Sequence, residues 1–191
     1  MSLGENIHTA FEIVAKTYEN VSKLISFCQD EASEESDFIL SSPKFLRWKS
    51  DNDLGGWLMK SFIQLFQSSE DKLLDNQWRE GPIYVMEINL NPYTYSEPMV
   101  NLAKFLYVDI SSWNEGVSPA SHWIFHDPLY DGKVEYDGDD FEYTGTISDE
   151  AYSSRHWGLY RVVGVGMPLV EITRENVREK IFDGFRLLIE K

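Results

Sequence analysis

Seven apolar residues spaced alternately four and three apart, Ile7, Phe11, Val14, Tyr18, Val21, Ile25 and Cys28, commit the N-terminal segment to a long helix with a single apolar stripe. Ala10 and Leu24 widen that stripe. Glu12 with Lys16 and Glu19 with Lys23 stand four residues apart in the favourable order, so the opposite face belongs to water. The spacing also fits a short coiled coil. Beside a large aromatic-rich remainder, it predicts a helix that packs on the protein's own core.

Asp30, Glu31, Glu34, Glu35 and Asp37 follow, where the negative end of the helix dipole disfavours carboxylates. The expected organisation is therefore a long helix over 1–33 and a linker with one short strand over 34–56. That strand, KFLRWKSD, carries Lys44, Arg47 and Lys49 around Trp48, and its alternation points Trp48 inward. An exposed Trp48 would instead let this basic cluster meet the acidic face of a second copy and give a homodimer. In GGWLMKSFIQLFQ, Leu58, Phe62, Leu65 and Phe66 predict a helix over 57–68.

From residue 82 the pattern changes to period two. In PIYVMEINL, Tyr84, Met86, Ile88 and Leu90 alternate with Ile83, Val85, Glu87 and Asn89, and Asn91-Pro92 ends the run. AKFLYVDI, SHWIFHD, LYRVVGVG and PLVEI read as further strands of a sheet over 82–172. Thr173 then caps a closing helix over 174–190 whose Val177, Ile181, Phe185 and Leu188 share a face. Helices, then strands, then a helix is an α+β order. The expectation is one α+β domain over 1–191, a mostly antiparallel sheet with the N-terminal and C-terminal helices packed on one of its faces.

Charge narrows the function. The net charge is −15, and between residues 105 and 150 eleven acids face the single base Lys133. Such a field repels a phosphate backbone and attracts a basic protein, so nucleic acid is excluded as a partner of this face. No apolar run reaches the roughly 20 residues that a membrane span needs. The N-terminus lacks the pattern of a secretory signal, and one cysteine cannot make an internal disulfide, which together point to the cytoplasm.

The densest charge lies in HDPLYDGKVEYDGDDFEYTG, residues 126 to 145, with seven carboxylates. A calcium loop fails here. Counted from Asp137, the glycine position holds Glu142 and the final glutamate position Ser148; counted from Asp131, Lys133 and Tyr136 occupy ligand and glycine positions. A hairpin fits better, with Asp137-Gly138 as a two-residue turn that sets Glu135 against Asp140 and Val134 against Phe141. The opposed carboxylates would welcome a cation or a basic partner. Glu135, Asp137, Asp139, Asp140 and Glu142 are thus the candidate binding residues.

Other constellations are weaker. His122 and His126 have H-x3-H spacing, but on a strand they would stand about 13 Å apart and could not share a zinc ion. Asp131-Gly132-Lys133 with Asp109, and Glu87 as a further carboxylate, sketches a magnesium site of a hydrolase or nuclease-like enzyme. GVG at 164–166 lacks the third glycine of a dinucleotide fingerprint and reads as a strand bend, no nucleophile motif is present, and Cys28 reads as a small hydrophobe. Trp57 and Trp157 could line a small-ligand pocket. The sequence favours a non-enzymatic, acidic protein-binding module of the inhibitor or immunity type, with no resident metal or organic cofactor and a divalent cation as the one candidate. The metal-dependent hydrolase and the small-ligand-binding domain are the alternatives.

Overall fold

The computed structural model describes residues 2–32, 36–52, 54–92, 95–114, 116–130, 135–137, 140–144 and 155–191. Helix α1, Leu3–Glu31, opens on a capping box: the Ser2 hydroxyl accepts from the Glu5 amide, and the Glu5 carboxylate accepts from the Ser2 amide. Its stripe divides in two. Val21, Ile25 and Cys28 are buried, whereas every residue from Leu3 to Ile13 is exposed.

The strands are β1 (Phe38–Leu40), β2 (Leu46–Arg47), β3 (Ser61–Ser68), β4 (Ile83–Asn89), β5 (Met99–Tyr107), β6 (Glu135–Asp137), β7 (Asp140–Thr144) and β8 (Leu159–Pro168). They form one sheet in the order β1-β3-β4-β5-β8-β7-β6, with β2 also paired to β3, and every pairing is antiparallel. The expected α+β class and antiparallel sheet are both present. β8 enters the middle of the sheet, so the hairpin β6–β7 hangs from a strand that follows it in the chain.

Each face of the sheet carries a core. On one face α1 and the C-terminal helix pack Val21, Ile25, Val177, Ile181 and Phe185 over Phe66, Tyr84, Met86 and Leu102. On the other, Ile63, Val85, Ala103 and Phe105 meet Ile124, Phe125, Leu129 and Trp113. The closing helix is a π-helical turn, Arg178–Asp183, that runs into α3, Gly184–Ile189. Lys104, on β5, reaches its end and donates from Nζ to the carbonyls of Leu188 and Ile189 at 3.1 and 2.9 Å. A single ammonium thereby caps a helix C-terminus and ties it to the sheet.

The double-sided core explains two corrections. The segment expected as a helix over 57–68 is strand β3, preceded by a 3-10 turn at Leu54–Trp57. All of β3 except Ser68 is buried, so the strand shows no polar alternation and its apolar residues mimic a helical face. SHWIFHD, expected as a strand, is largely helix: α2 spans His122–Tyr130. Pro128 sits inside α2 and offers no N–H to the carbonyl of Ile124 four residues earlier. That carbonyl lies 3.3 Å from Nδ1 of the buried His156, which stands in as donor.

Smaller expectations also shift. Leu46, not Trp48, fills the core from β2, and Trp48 is 43 % exposed. Gly164 and Gly166 pair in register with Ala103 and Asn101, and the irregularity in the β5–β8 ladder lies at Leu106/Tyr107 instead. The hairpin exists in another register, with each partner on β7 two residues further along than expected. Glu135 faces Glu142, Tyr136 faces Phe141 and Asp137 faces Asp140.

Candidate functional site

The largest buried polar assembly among the described residues lies where α2 crosses the sheet. A 3-10 turn at Pro119–Ser121 leads into α2, with proline at a position where a missing N–H costs nothing. His122, His126 and Tyr130, four residues apart, share one face of the helix. Their rings stack in sequence, with centroids 4.8 Å apart for the two histidines and 4.7 Å for His126 and Tyr130. The helical geometry overturns the expectation that the histidine pair is stretched along a strand.

Beneath these rings the sheet supplies Ser61 from β3, Glu87 and Asn89 from β4, and Asn101 from β5, all buried, and the side chain of Glu87 is completely so. Glu87 is the focus. The Ser61 hydroxyl donates to its Oε1 at 2.7 Å, and the Tyr130 hydroxyl and the Asn101 amide donate to its Oε2 at 2.6 and 2.9 Å. Nε2 of His122 lies 2.8 Å from the Ser61 oxygen, and Asn89 donates to the Tyr130 hydroxyl at 2.6 Å. Because Ser61 and Tyr130 spend their protons on Glu87, His122 must donate to Ser61 through Nε2–H. Every proton in the network points toward one carboxylate.

His126 is the member at the water boundary, with 28 % of its side chain accessible and Nε2 at 3.9 Å from Glu87 Oε1. Outward from it, Nδ1 meets Asp127 at 3.3 Å, and Arg155 pairs with Asp127 at 2.9 Å while covering the Trp123 ring. Burial, aided by neighbouring His126, pushes the His122 imidazole down to about 3. The hydrogen bond from His126 holds Asp127 below the usual carboxylate range, against the opposing effect of burial and with help from Arg155. The buried half of the assembly is saturated with hydrogen bonds. It fixes α2 on the sheet and presents His126, Asp127, Arg155 and Trp123 to solvent.

The residues singled out from sequence fall in three places. Asp109 caps the 3-10 turn Ile110–Ser112, its Oδ1 accepting from the Ser111 amide and hydroxyl at 2.9 and 2.5 Å. It lines a cavity of about 320 Å³ with Glu80, Ser111 and Tyr160. Asn101, the β5 partner of Glu87, precedes Asp109 by eight residues, or about 26 Å of strand, so Asp109 and Glu87 cannot grip one ion. Asp131, Lys133 and Asp139 lie outside the described residues. Glu135 is exposed, and Asp137, Asp140 and Glu142 are placed by the register of the hairpin.

Among the described residues, no group of three or more histidines, cysteines or acids is arranged to hold a metal. Cys28 is buried beside the Met86 sulfur at 3.7 Å, and burial followed by the charge of Glu31 pushes its thiol up to about 12. Trp57 is 68 % exposed, while Trp157 stacks edge-on against Trp113 with centroids 4.8 Å apart. Among the described residues no helix is long and apolar enough to cross a membrane. The sequence offered one signal for the buried network: Glu87, Asn89 and Asn101 interrupt otherwise apolar strands. Its helical half was hidden by the misassigned α2.

Protein-family models, curated proteins and solved structures contain no match to this chain.

Proposed function

We propose that this chain is a non-enzymatic binding module that holds a basic polypeptide segment along the outer edge of its sheet, as an inhibitor or immunity-type factor would. One observation carries the reading. In the hairpin β6–β7, Glu135 stands opposite Glu142 and Asp137 opposite Asp140, and β6 is the terminal strand of the described sheet. Directly opposed like charges cost about 0.2–1 kcal/mol per pair, which an incoming cation removes. A strand adding to β6 with Lys or Arg at every second position repeats at about 6.8 Å, the separation of Glu135 and Asp137. The same charges discourage pairing of this edge with another acidic chain. The saturated network around Glu87 serves as a fixed support for α2, whose end leads into the hairpin.

The test uses two peptides of equal length and charge, both alternating lysine with threonine and valine, the second carrying one proline in place of its central valine so that it cannot pair as a strand. Amide shifts at residues 135–137 that follow only the strand-forming peptide, and vanish in Glu135→Lys/Asp137→Lys, support edge capture. Equal binding of the proline peptide would reduce the effect to diffuse charge, and absence of binding removes the reading.

A second reading, general acid–base catalysis, rests on His126, which reaches solvent between Glu87 and Asp127. Hydrolysis of a panel of activated esters and phosphoesters, with and without Mg²⁺, that is lost in His126→Ala would favour it. No turnover by the parent chain would leave the binding module standing.

A further inference from the structure

We propose that the exposed half of α1 is a dimerisation arm that pairs antiparallel with the same segment of a second copy. From Leu3 to Ile13 the helix is exposed at every residue, a rod of about 16 Å that none of the other described residues buries. Amphipathic helices draw most of their stability from what covers their apolar face. Leu3, Ile7 and Phe11 are 76 %, 52 % and 68 % exposed, and they continue the stripe that Val21, Ile25 and Cys28 bury.

The surface is self-complementary. Where the arm meets the body, Val14, Thr17, Tyr18, Leu58, Met59 and Leu90 line an apolar groove of about 270 Å³. Leu3 and Ile7 lie roughly two to three turns along the same stripe, so an antiparallel partner crossing near Phe11 delivers its Leu3 and Ile7 to this groove. The operation is its own inverse: each copy gives a knob and receives one, which closes the pair at two.

Charge does not oppose a second copy despite the net −15. At 100° per residue, Leu3, Gly4, Ile7, Ala10, Phe11, Val14, Ala15, Thr17 and Tyr18 cover an arc of roughly 160° that holds no charged residue. Glu5, Glu12, Lys16 and Glu19 all point to the other side. The acidic hairpin lies at least three strand spacings, about 14 Å, across the sheet from β4, on which α1 packs. That exceeds the screening length of about 8 Å at physiological salt, so the hairpin does not oppose the approach. With Leu58 of the lining 47 % exposed and Trp57, its chain neighbour, 68 % exposed, each copy offers roughly 500 Å² of apolar surface, the size of a reversible interface.

Sedimentation velocity on the full chain over a concentration series up to about 200 μM should show a monomer–dimer equilibrium with a midpoint in the micromolar range. Ile7→Glu/Phe11→Glu, at positions outside the core, should be monomeric throughout with an unchanged melting temperature. Ala10→Cys should form a disulfide-linked dimer on mild oxidation, and Thr9→Cys, on the far side of the helix, should not. A parent chain that stays monomeric at the highest concentration, or a dimer that survives the double glutamate variant, overturns the proposal. The first result would leave the arm to a different protein.

Discussion

Replacing His122 with glutamine isolates the electrostatic character of the buried network. Glutamine can keep the donor to Ser61 while removing the titrating ring. Above about pH 6.5 the histidine is neutral in both folded and unfolded chains, and the parent and variant should differ only by local packing. Below that, the unfolded chain takes up a proton that the folded chain refuses until about 3. The unfolded state then binds more protons, so stability falls as the pH drops through this window. For a folded pKa so far below the unfolded one, the loss at pH 5 relative to pH 7.5 is about 2 kcal/mol. The assay is guanidinium unfolding of parent and His122→Gln at the two pH values. The stability gap between them should move by about that amount in favour of the variant at pH 5. A gap independent of pH, or an NMR titration of the His122 ring near 6.5, would refute the argument that burial keeps this ring neutral.

Glu87→Gln preserves shape but sets an NH₂ against groups that already donate, so it should cost about 2–4 kcal/mol and lower the melting temperature by about 10 °C in a calorimetric scan. Lys104→Met strips the donors from the Leu188 and Ile189 carbonyls; the expected loss is about 1–3 kcal/mol, read as faster amide exchange confined first to α3. Gly184→Ala gains up to about 1 kcal/mol of helix propensity, yet its new Cβ would lie 2.6 Å from Leu102 Cδ1, so a net loss of about 1–2 kcal/mol is expected. Combined with Leu102→Ala, chemical denaturation should show a cost smaller than the two single costs together, since the truncated side chain makes room.

Gly184 also shows what the sequence conveyed and what it withheld. Within a helical pattern a glycine signals only lowered propensity, whereas the structure uses its missing side chain to bring α3 against β5. β4 was legible from the period-two alternation of PIYVMEINL, and β5 only in its second half, since AKFLYVDI begins at Ala103 and leaves out Met99 to Leu102. β3 was not: buried on both faces, it lost the alternation that distinguishes a strand, and Leu58, Phe62, Leu65 and Phe66 satisfied a helical period by chance. α2 was hidden by the opposite confusion, a short aromatic run ending near a proline, with the substitute donor His156 lying 32 residues from the carbonyl it serves. The candidate site was therefore visible in part: Glu87 and Asn89 lay on an expected strand, whereas Ser61 fell in a segment read as a helix, Asn101 outside any expected strand, and α2 was assigned to the wrong geometry. The hairpin, a local device, was anticipated, though each partner on β7 lies two residues further along the chain than the turn signal suggested.

The central position of β8 has a consequence for how the chain is made. During synthesis β3, β4 and β5 emerge in order and can zip together as neighbours, each paired with the strand before it. The hairpin β6–β7 emerges next but has no place to attach, because its partner β8 ends only at Pro168. Until then one edge of β5 stays open and the acidic hairpin hangs free. Its charge keeps that waiting segment from pairing with other nascent chains, and the arrival of β8 closes the gap and docks the hairpin in a single late step.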